Sequence, residues 1–145
     1  MQIHQSAEDY LETILMLNQR MGRVRSIDVV NELGYTKASV SIAMKKLREN
    51  GYIAVDGEGN LTLLEPGREI AERIYSRHRL LTHFFVQLGV DEEVAAEDAC
   101  KAEHILSEQT LKKIREYALL HDAEDSVQRL SLIHISEPTR LQLIS

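Results

Sequence analysis

The chain lacks the features that mark secreted and membrane proteins. Its 145 residues contain a single cysteine, so an internal disulfide is excluded and a reducing compartment is the simplest location. No apolar run approaches the roughly 20 residues that a membrane-spanning helix needs, and the N-terminus has no signal-peptide pattern. We therefore expect a cytoplasmic protein of one or two small domains that has no membrane partner.

Basic residues are in the minority, and the net charge of −6 argues weakly against a nucleic-acid partner. The charge is, however, unevenly distributed. Residues 19–48 contain seven basic residues and two acids, a local charge of +5, whereas residues 85–127 contain four basic residues and eleven acids, a local charge of −7. This asymmetry indicates one surface for an anionic polymer and another for cations. The alternative at this point is two solvated faces of opposite sign.

The first half of the chain alternates between helical and strand-like patterns. The apolar spacing predicts a helix over residues 7–20 and a short helix over 26–34 with Ser26 as its N-cap. It predicts a third helix over 36–51 with Thr36 as its N-cap and with Val40, Met44 and Leu47 on its inner face. Two β-rich runs then flank a turn at residues 56–60. This order of elements is typical of a winged helix-turn-helix domain.

The third predicted helix has the surface of a DNA-reading helix. Small hydroxyl side chains near its start can approach base edges, and lysines further along can reach phosphates. A solvated amphipathic helix would explain the lysines but not the hydroxyl residues at one end, although helix-turn-helix folds also serve as protein-interaction modules. The predicted DNA-contacting residues are Thr36, Lys37, Ser39, Ser41, Lys45 and Lys46.

The second half of the chain reads as three further helices. The pattern predicts a long helix over residues 65–89 with Pro66 in its first turn, a helix over 90–107 that starts with acidic residues, and a helix over 108–120. This half is too apolar to be only a linker. Its surplus of apolar residues predicts a dimer interface.

The lone cysteine lies among residue types that bind metals. In the segment DACKAEHILS, Cys100, Glu103 and His104 have the i, i+3 and i+4 spacing of one helical face. Asp9 and Glu12 have an i, i+3 spacing on the first predicted helix. Acids that converge on a partly buried site repel one another until a dication neutralises them. The pattern therefore favours a metal site, whereas a lone buried cysteine is more often a core residue.

These segments resemble the metal-dependent transcriptional repressors typified by the diphtheria toxin repressor and the manganese transport regulator. The resemblance covers about residues 5–120 and is carried by EDYLETI, ASVSIAMKKLRENGYI, YSRHRLLTHFFVQLGVDEE and DACKAEHILS. It implies a mainly α fold, with an N-terminal winged helix-turn-helix domain and a two-stranded wing over residues 1–72. An all-helical dimerisation and metal-binding domain would follow over 73–127, and residues 128–145 would form a tail.

The resemblance also implies a mechanism. A divalent metal bound between the domains favours the form of a homodimer that binds double-stranded operator DNA, and the regulated genes are those of metal uptake. Six metal ligands follow position by position. They are Asp9, Glu12, His78, Cys100, Glu103 and His104.

The implied ligand set mixes two branches of the family. The acids on the first helix match the manganese-type members, whereas Cys100 replaces their glutamate and matches the iron-type branch. The accessory site of the iron-type branch would fall on Thr82 and Ala96, which are not metal ligands. The expected cofactor is therefore Mn²⁺ or Fe²⁺, with Zn²⁺ as a further candidate. His83 and His121 have no spaced partners and are predicted to be structural.

Two other functions fit part of the sequence. A winged-helix regulator that senses oxidants through Cys100 would explain the lone thiol, but it would not need the acids. A metallohydrolase would explain the ligands, but the sequence offers no separate nucleophile, base or substrate-cleft motif. We therefore expect a metal-responsive regulator and not an enzyme.

The sequence changes in character near its end. After Arg129 the chain continues LSLIHISEPTRLQLIS, which is rich in Ile and Leu and contains Pro138. The string SLIHISEPTR resembles translated sequencing-adapter sequence, so residues from about Leu130 onward are expected to be non-native, and His134 is not counted as a ligand. The alternative is a hydrophobic extension of the sixth helix.

Overall fold

The structure, a computed structural model, describes the backbone of residues 5–135 and the side chains of residues 5–124. The chain forms two compact units, residues 1–78 and 79–145, and the division between them falls within helix α4. The predicted domain boundary at residue 72 lies earlier in the same helix. In chain order the elements are α1 (Gln5–Met21), α2 (Ser26–Leu33), α3 (Lys37–Glu49), β1 (Ile53–Val55), β2 (Leu61–Leu63), α4 (Glu65–Gln87), α5 (Glu92–Ala102) and α6 (Glu108–Ile135).

The order of elements confirms the predicted winged helix followed by an all-helical region. Among the residues that the structure describes, no helix is both long enough and apolar enough to cross a membrane. The sixth helix extends beyond the predicted end at residue 120 and reaches Ile135, while residues 136–145 of the predicted tail lie outside the described residues.

One buried cluster holds the N-terminal unit together. Leu11 and Ile14 of α1 are completely buried, because the apolar residues of this helix recur every three or four positions. Helix α3 contributes the three residues of its predicted inner face, and the strands contribute alternate residues. These residues are Val40, Met44, Leu47, Ile53, Leu61 and Leu63. Burial of one such aliphatic side chain contributes roughly 1.5–3 kcal/mol, so α3 is firmly anchored to the rest of the unit.

The connection between α2 and α3 is fixed by a glycine and a cap. Gly34 adopts φ of 72°, where a glycine carries no steric penalty, and its N–H donates to the carbonyl of Val30. Thr36 is the N-cap of α3, as predicted, since its Oγ1 accepts a hydrogen bond from the backbone N–H of Ser39 at 3.1 Å. This tight turn orients α3 relative to α2.

The start of α2 differs by one residue from the prediction. Arg25, not Ser26, is the N-cap, and its backbone N–H donates to the Asp28 carboxylate at 2.9 Å. Arg25 also forms an isolated antiparallel bridge with Asn60. Because this bridge requires extended backbone at Arg25, the helix begins at the following residue.

The wing is a short antiparallel hairpin with a rigid turn. Ile53 pairs with Leu63, and Val55 pairs with Leu61. Within the turn, Asp56 Oδ2 accepts from the side-chain amide of Asn60 at 2.9 Å, and its Oδ1 accepts from the backbone N–H groups of Glu58 and Asn60. The Asn60 side chain, followed by the Asn60 backbone N–H, lowers the pKa of Asp56 because both stabilise the carboxylate. The turn predicted at residues 56–60 is thus confirmed.

The C-terminal unit has its own core. Leu81, Ala99 and Leu111, one from each of the three helices, are buried together. Asp122 on α6 accepts a hydrogen bond from Gln87 Nε2 at 2.9 Å and lies 3.0 Å from His83 Nε2, both on α4. These contacts join α4 to α6 and agree with the structural role predicted for His83.

Helix α5 is shorter than predicted. It ends at Ala102, and the backbone N–H groups of Ile105 and Leu106 turn back to the carbonyl of Ala102. Leu106 then packs against the core, and Ser107 Oγ accepts from the N–H of Thr110 in the manner of an N-cap for the next helix. The burial of Leu106 and this cap favour a turn where the sequence pattern predicted a continuous helix to residue 107.

The first turn of α4 packs closely against the hairpin. Gly67 is buried, and a Cβ atom at this position would lie well inside van der Waals contact of the Tyr52 carbonyl oxygen. The same Tyr52 carbonyl accepts a hydrogen bond from Leu64 N–H at 3.0 Å, so it is not free to move away. Glycine is therefore required at position 67 because a side chain would not fit there, and not because of an unusual backbone conformation.

We predict that Gly67→Ala lowers the free energy of unfolding by about 1–3 kcal/mol, since the added methyl group overpacks this contact. Urea denaturation at constant pH measures the change. Gly57→Ala is the matched control, because a Cβ at Gly57 would meet no atom within 4 Å. Equal stability of the two variants would contradict the close approach of α4 to the hairpin.

Candidate metal ligands and nucleic-acid interface

The six predicted DNA-contacting residues lie on one exposed surface of the N-terminal unit. All of them, from Thr36 to Lys46, are exposed and lie on α3 or at its N-cap. The Thr36 hydroxyl accepts from Ser39 N–H and donates to Ser39 Oγ at 2.9 Å. Thr36 therefore fixes the start of the helix, while Lys37, Ser41 and Lys45 project from it.

Basic residues outside α3 lie near the wing. Arg23 and Arg25 are exposed, and Arg25 extends over Gly59, with its Nε 3.4 Å from the position that a Cβ would occupy. Arg23 lies 3.8 Å from Glu58, a pair of exposed side chains that contributes little to stability. Arg20, in contrast, forms a closer pair with Glu32 at 2.7 Å. Of the basic residues in positions 19–48, Arg20 is therefore engaged in an ion pair, and the others lie on the surface of α3 or near the wing.

Sequence reasoning missed Ile42 on the exposed side of α3. This large apolar side chain is 57% exposed. The signal was present in the sequence, because Ile42 lies two positions from both Val40 and Met44, which places it on the opposite side of the helix from the buried residues.

The first pair of predicted metal ligands lies on α1. Asp9 is half-buried and Glu12 is only 5% exposed, and a carboxylate oxygen of each lies within 4.8 Å of the other. Their i, i+3 spacing on a continuous helix explains why they are neighbours. Burial of an acid such as Glu12 is costly unless a positive charge or hydrogen bonds compensate it.

The second pair lies in the turn after α5. Glu103 is completely buried, and the His104 side chain is 1% exposed, with His104 Nε2 3.4 Å from Glu103 Oε1. The prediction that Cys100, Glu103 and His104 share a helical face holds only in part. Glu103 keeps helical backbone angles as the C-cap of α5, whereas His104 belongs to the turn.

The donor types in the two pairs fit a divalent first-row metal. Three carboxylates and one imidazole are the donors that suit Mn²⁺, Fe²⁺ and Zn²⁺. A dication also compensates buried carboxylates such as Glu12 and Glu103, because it supplies the positive charge that a low-dielectric environment demands. Each pair, taken by itself, therefore has donor types that suit a cation.

The remaining two predicted ligands lie on α4 and α5. His78 is half-buried near the middle of α4, and Cys100 is exposed in the last turn of α5, one helical turn before Glu103. Both stay predictions.

Comparison with known families finds two domain matches that meet just before α4. Residues 2–61 match the domain described as "Iron dependent repressor, N-terminal DNA binding domain". Residues 64–121 match the domain described as "Iron dependent repressor, metal binding and dimerisation domain". Both domains belong to transcriptional regulators and not to enzymes.

Relatives support the same assignment. The chain is 35% identical over 113 residues to the "Uncharacterized HTH-type transcriptional regulator MJ0568" of Methanocaldococcus jannaschii, with 77% of this chain and 90% of that protein covered. It is 32% identical over 126 residues to the "HTH-type transcriptional regulator MntR" of Lysinibacillus sphaericus, with 86% and 91% covered.

Among solved structures, the chain is similar to a "Manganese-dependent transcriptional repressor complex with manganese", with a TM-score of 0.71 and 28% identity. The similarity covers 77% of this chain and 52% of that one, so this chain spans about half the length of that repressor. The two domain matches and the relatives together confirm the resemblance carried by the sequence segments. The chain belongs to the family of metal-dependent, DNA-binding transcriptional repressors that includes the iron-dependent repressors and the MntR regulators.

Proposed function

We propose that this chain is a metal-responsive repressor whose homodimer binds operator DNA when a divalent metal is bound. The buried pair of Glu103 and His104 supports this function most strongly. A carboxylate and an imidazole are both metal donors, and a bound cation would compensate the burial of the carboxylate. Asp9 and Glu12 add a second pair of donors on the helix that anchors the DNA-binding unit.

The proposed ligands are Asp9, Glu12, His78, Cys100, Glu103 and His104, and they come from both units of the chain. The metal, when bound, supplies the positive charge that neutralises the acids. If donors from both units bind the same ion, the free energy of metal binding is linked to the free energy of DNA binding. A metal at about 100 times its dissociation constant contributes about 2.7 kcal/mol, which is enough to shift a nearly balanced equilibrium.

On the DNA side, α3 supplies the groove-reading surface. The proposed contacts are those of Thr36, Lys37, Ser39, Ser41, Lys45 and Lys46. A twofold homodimer would place two such helices in successive major grooves, roughly 34 Å apart. Exposed apolar residues of the C-terminal unit, among them Leu119 and Leu120, offer surface for dimerisation.

We further propose Mn²⁺ or Fe²⁺ as the metal, with Zn²⁺ as a further candidate, and metal-uptake genes as the regulated genes. A regulator that binds chromosomal DNA works in the cytoplasm, where a lone thiol such as Cys100 stays reduced. A thiol redox sensor is the alternative function. The exposure of Cys100 suits thiol chemistry, but a redox sensor gives no reason for the buried acids.

We predict that Glu12→Gln and Glu103→Gln each weaken Mn²⁺ binding by at least 10- to 100-fold, the loss typical of even an outer-sphere partner of a metal site. Isothermal titration calorimetry gives both the affinity and the number of ions. Glu97→Gln is the matched control, since Glu97 is exposed on α5.

The stoichiometry separates two arrangements. If both pairs bind one ion, either substitution weakens the same binding event. If the pairs bind separate ions, each substitution removes one ion and leaves the other. Unchanged affinity and stoichiometry in both variants would contradict the ligand assignment.

We predict that replacing Lys45 and Lys46 together by Ala weakens binding to all DNA sequences and reduces the slope of log affinity against log salt by about two. Fluorescence anisotropy with metal-loaded protein at several salt concentrations measures the slope. Lys112→Ala with Lys113→Ala is the matched control, because this lysine pair is exposed on α6. A slope equal to that of the unmodified protein would exclude Lys45 and Lys46 from phosphate contacts.

We predict that Cys100→Glu shifts metal preference from Zn²⁺ toward Mn²⁺, since it replaces the one soft donor by a hard carboxylate. Cys100→Ser should instead weaken activation by Fe²⁺ and Zn²⁺, because a neutral hydroxyl is a poorer ligand than a thiolate. Operator binding titrated with each metal distinguishes the variants. If both variants respond to every metal as the parent chain does, Cys100 is not a ligand; if Cys100→Ser instead loses only a response to peroxide, the redox-sensor function is favoured.

A further inference from the structure

An isoleucine lies at the centre of the surface that the proposed function assigns to DNA. Ile42 is 57% exposed, although it occupies the middle of a helix with a well-formed buried face. On an α-helix, two positions correspond to about 200°, so Ile42 is opposite both Val40 and Met44. It is therefore among the residues of α3 that project furthest from the core of the N-terminal unit.

Ile42 forms a ridge between two shallow hollows. Ser41, Lys45 and Val55 line the hollow on one side together with Ile42. Ser39, Ala43 and Lys46 line the hollow on the other side, again with Ile42 as a shared wall. Ile42 is the residue that the two hollows share, near the middle of the exposed side of α3.

The chemistry around Ile42 is cationic and hydroxylic. Lys37, Lys45, Lys46 and Arg48 are exposed on the same helix, against a single exposed acid, Glu49, at its end. An apolar side chain surrounded by cations is complementary to a surface that is anionic at its rim and carries an apolar group at its centre. The major groove of DNA has this character where a thymine presents its 5-methyl group between two phosphate backbones.

We propose that Ile42 is a specificity-determining residue that contacts the 5-methyl group of a thymine in each operator half-site. Ala38, one turn earlier on the same exposed side, leaves room for the base pairs to approach the helix. The serines and lysines of α3 position the helix through hydrogen bonds and phosphate contacts, whereas Ile42 selects T·A over the other base pairs. This inference rests on the proposed DNA-binding function.

The test uses deoxyuridine, which differs from thymidine only by the absence of the methyl group. An operator is first selected from a random duplex library with the metal-loaded full chain, and each thymine in the half-site is then replaced in turn by uracil. At one thymine per half-site, the replacement should weaken binding about fourfold per contact, the value that corresponds to one buried methyl group. Fluorescence anisotropy measures the affinities.

Ile42→Ala should weaken binding to the thymine operator about 4- to 10-fold per half-site and should abolish the difference between thymine and uracil at that position. Ile42→Ala combined with the uracil replacement should weaken operator binding no more than Ile42→Ala alone, because two groups in contact have non-additive effects on affinity. Ile42→Val should keep most of the discrimination. Ile27→Ala is the matched control, because Ile27 is 41% exposed on α2 in the same unit, and its discrimination should equal that of the unmodified chain.

The outcomes separate this inference from the proposed function. Two outcomes would contradict the role of Ile42 and leave the proposed function intact. In the first, the chain binds its operator tightly and no uracil replacement weakens the affinity. In the second, a uracil replacement weakens the affinity of Ile42→Ala as much as that of the unmodified chain. A metal-loaded chain that binds no duplex at all would overturn the proposed function, and the role of Ile42 with it. Ile42→Ala that changes the oligomeric state, with thymine discrimination intact, would show that Ile42 contacts a second copy of the chain and not DNA.

Discussion

Burial of helix α1 is the constraint on which both proposed activities depend. Its residues from Tyr10 to Leu15 are all buried, so the middle of this helix is enclosed around most of its circumference. The apolar part of that surface anchors α3 through the core of the N-terminal unit. The polar part includes Glu12, which is 5% exposed. One helix therefore supports the DNA-reading surface and presents a proposed metal ligand.

Buried carboxylates favour the binding of a metal cation to this chain. A carboxylate in a low-dielectric environment favours any partner that supplies positive charge, and a dication supplies more than an imidazole does. Glu103 is completely buried beside His104, so the C-terminal unit has the same feature as α1. The chain thus buries acids in both units, and the continuous helix α4 runs through the division between them.

Residues 19–48 of the N-terminal unit concentrate positive charge, with a local charge of +5, although the whole chain has a net charge of −6. The helix-turn-helix geometry explains how this is achieved. Gly34 and the Thr36 cap fix the direction of α3, the residues Val40, Met44 and Leu47 hold it against the core, and the lysines are left on the outer side. Arg25 lies beside the turn of the wing through its bridge to Asn60, but this turn also contains Asp56 and Glu58. The local field at the proposed DNA surface is therefore set by α3 more than by the wing.

The sequence by itself determined the order of the helices and strands, the Thr36 cap, the hairpin turn and the buried face of α3, because these features depend on local periodicity and on hydrogen bonds between near neighbours. It also determined the residue types and the spacing of the two proposed ligand pairs. Only the tertiary structure decided that α2 begins after Arg25, since the bridge to Asn60 depends on a strand far along the chain. Only the tertiary structure decided that α5 ends at Ala102, because that end depends on the packing of Leu106. The burial of Glu103 and the exposure of Ile42 likewise depend on which elements cover each helix, and helical periodicity alone does not specify that.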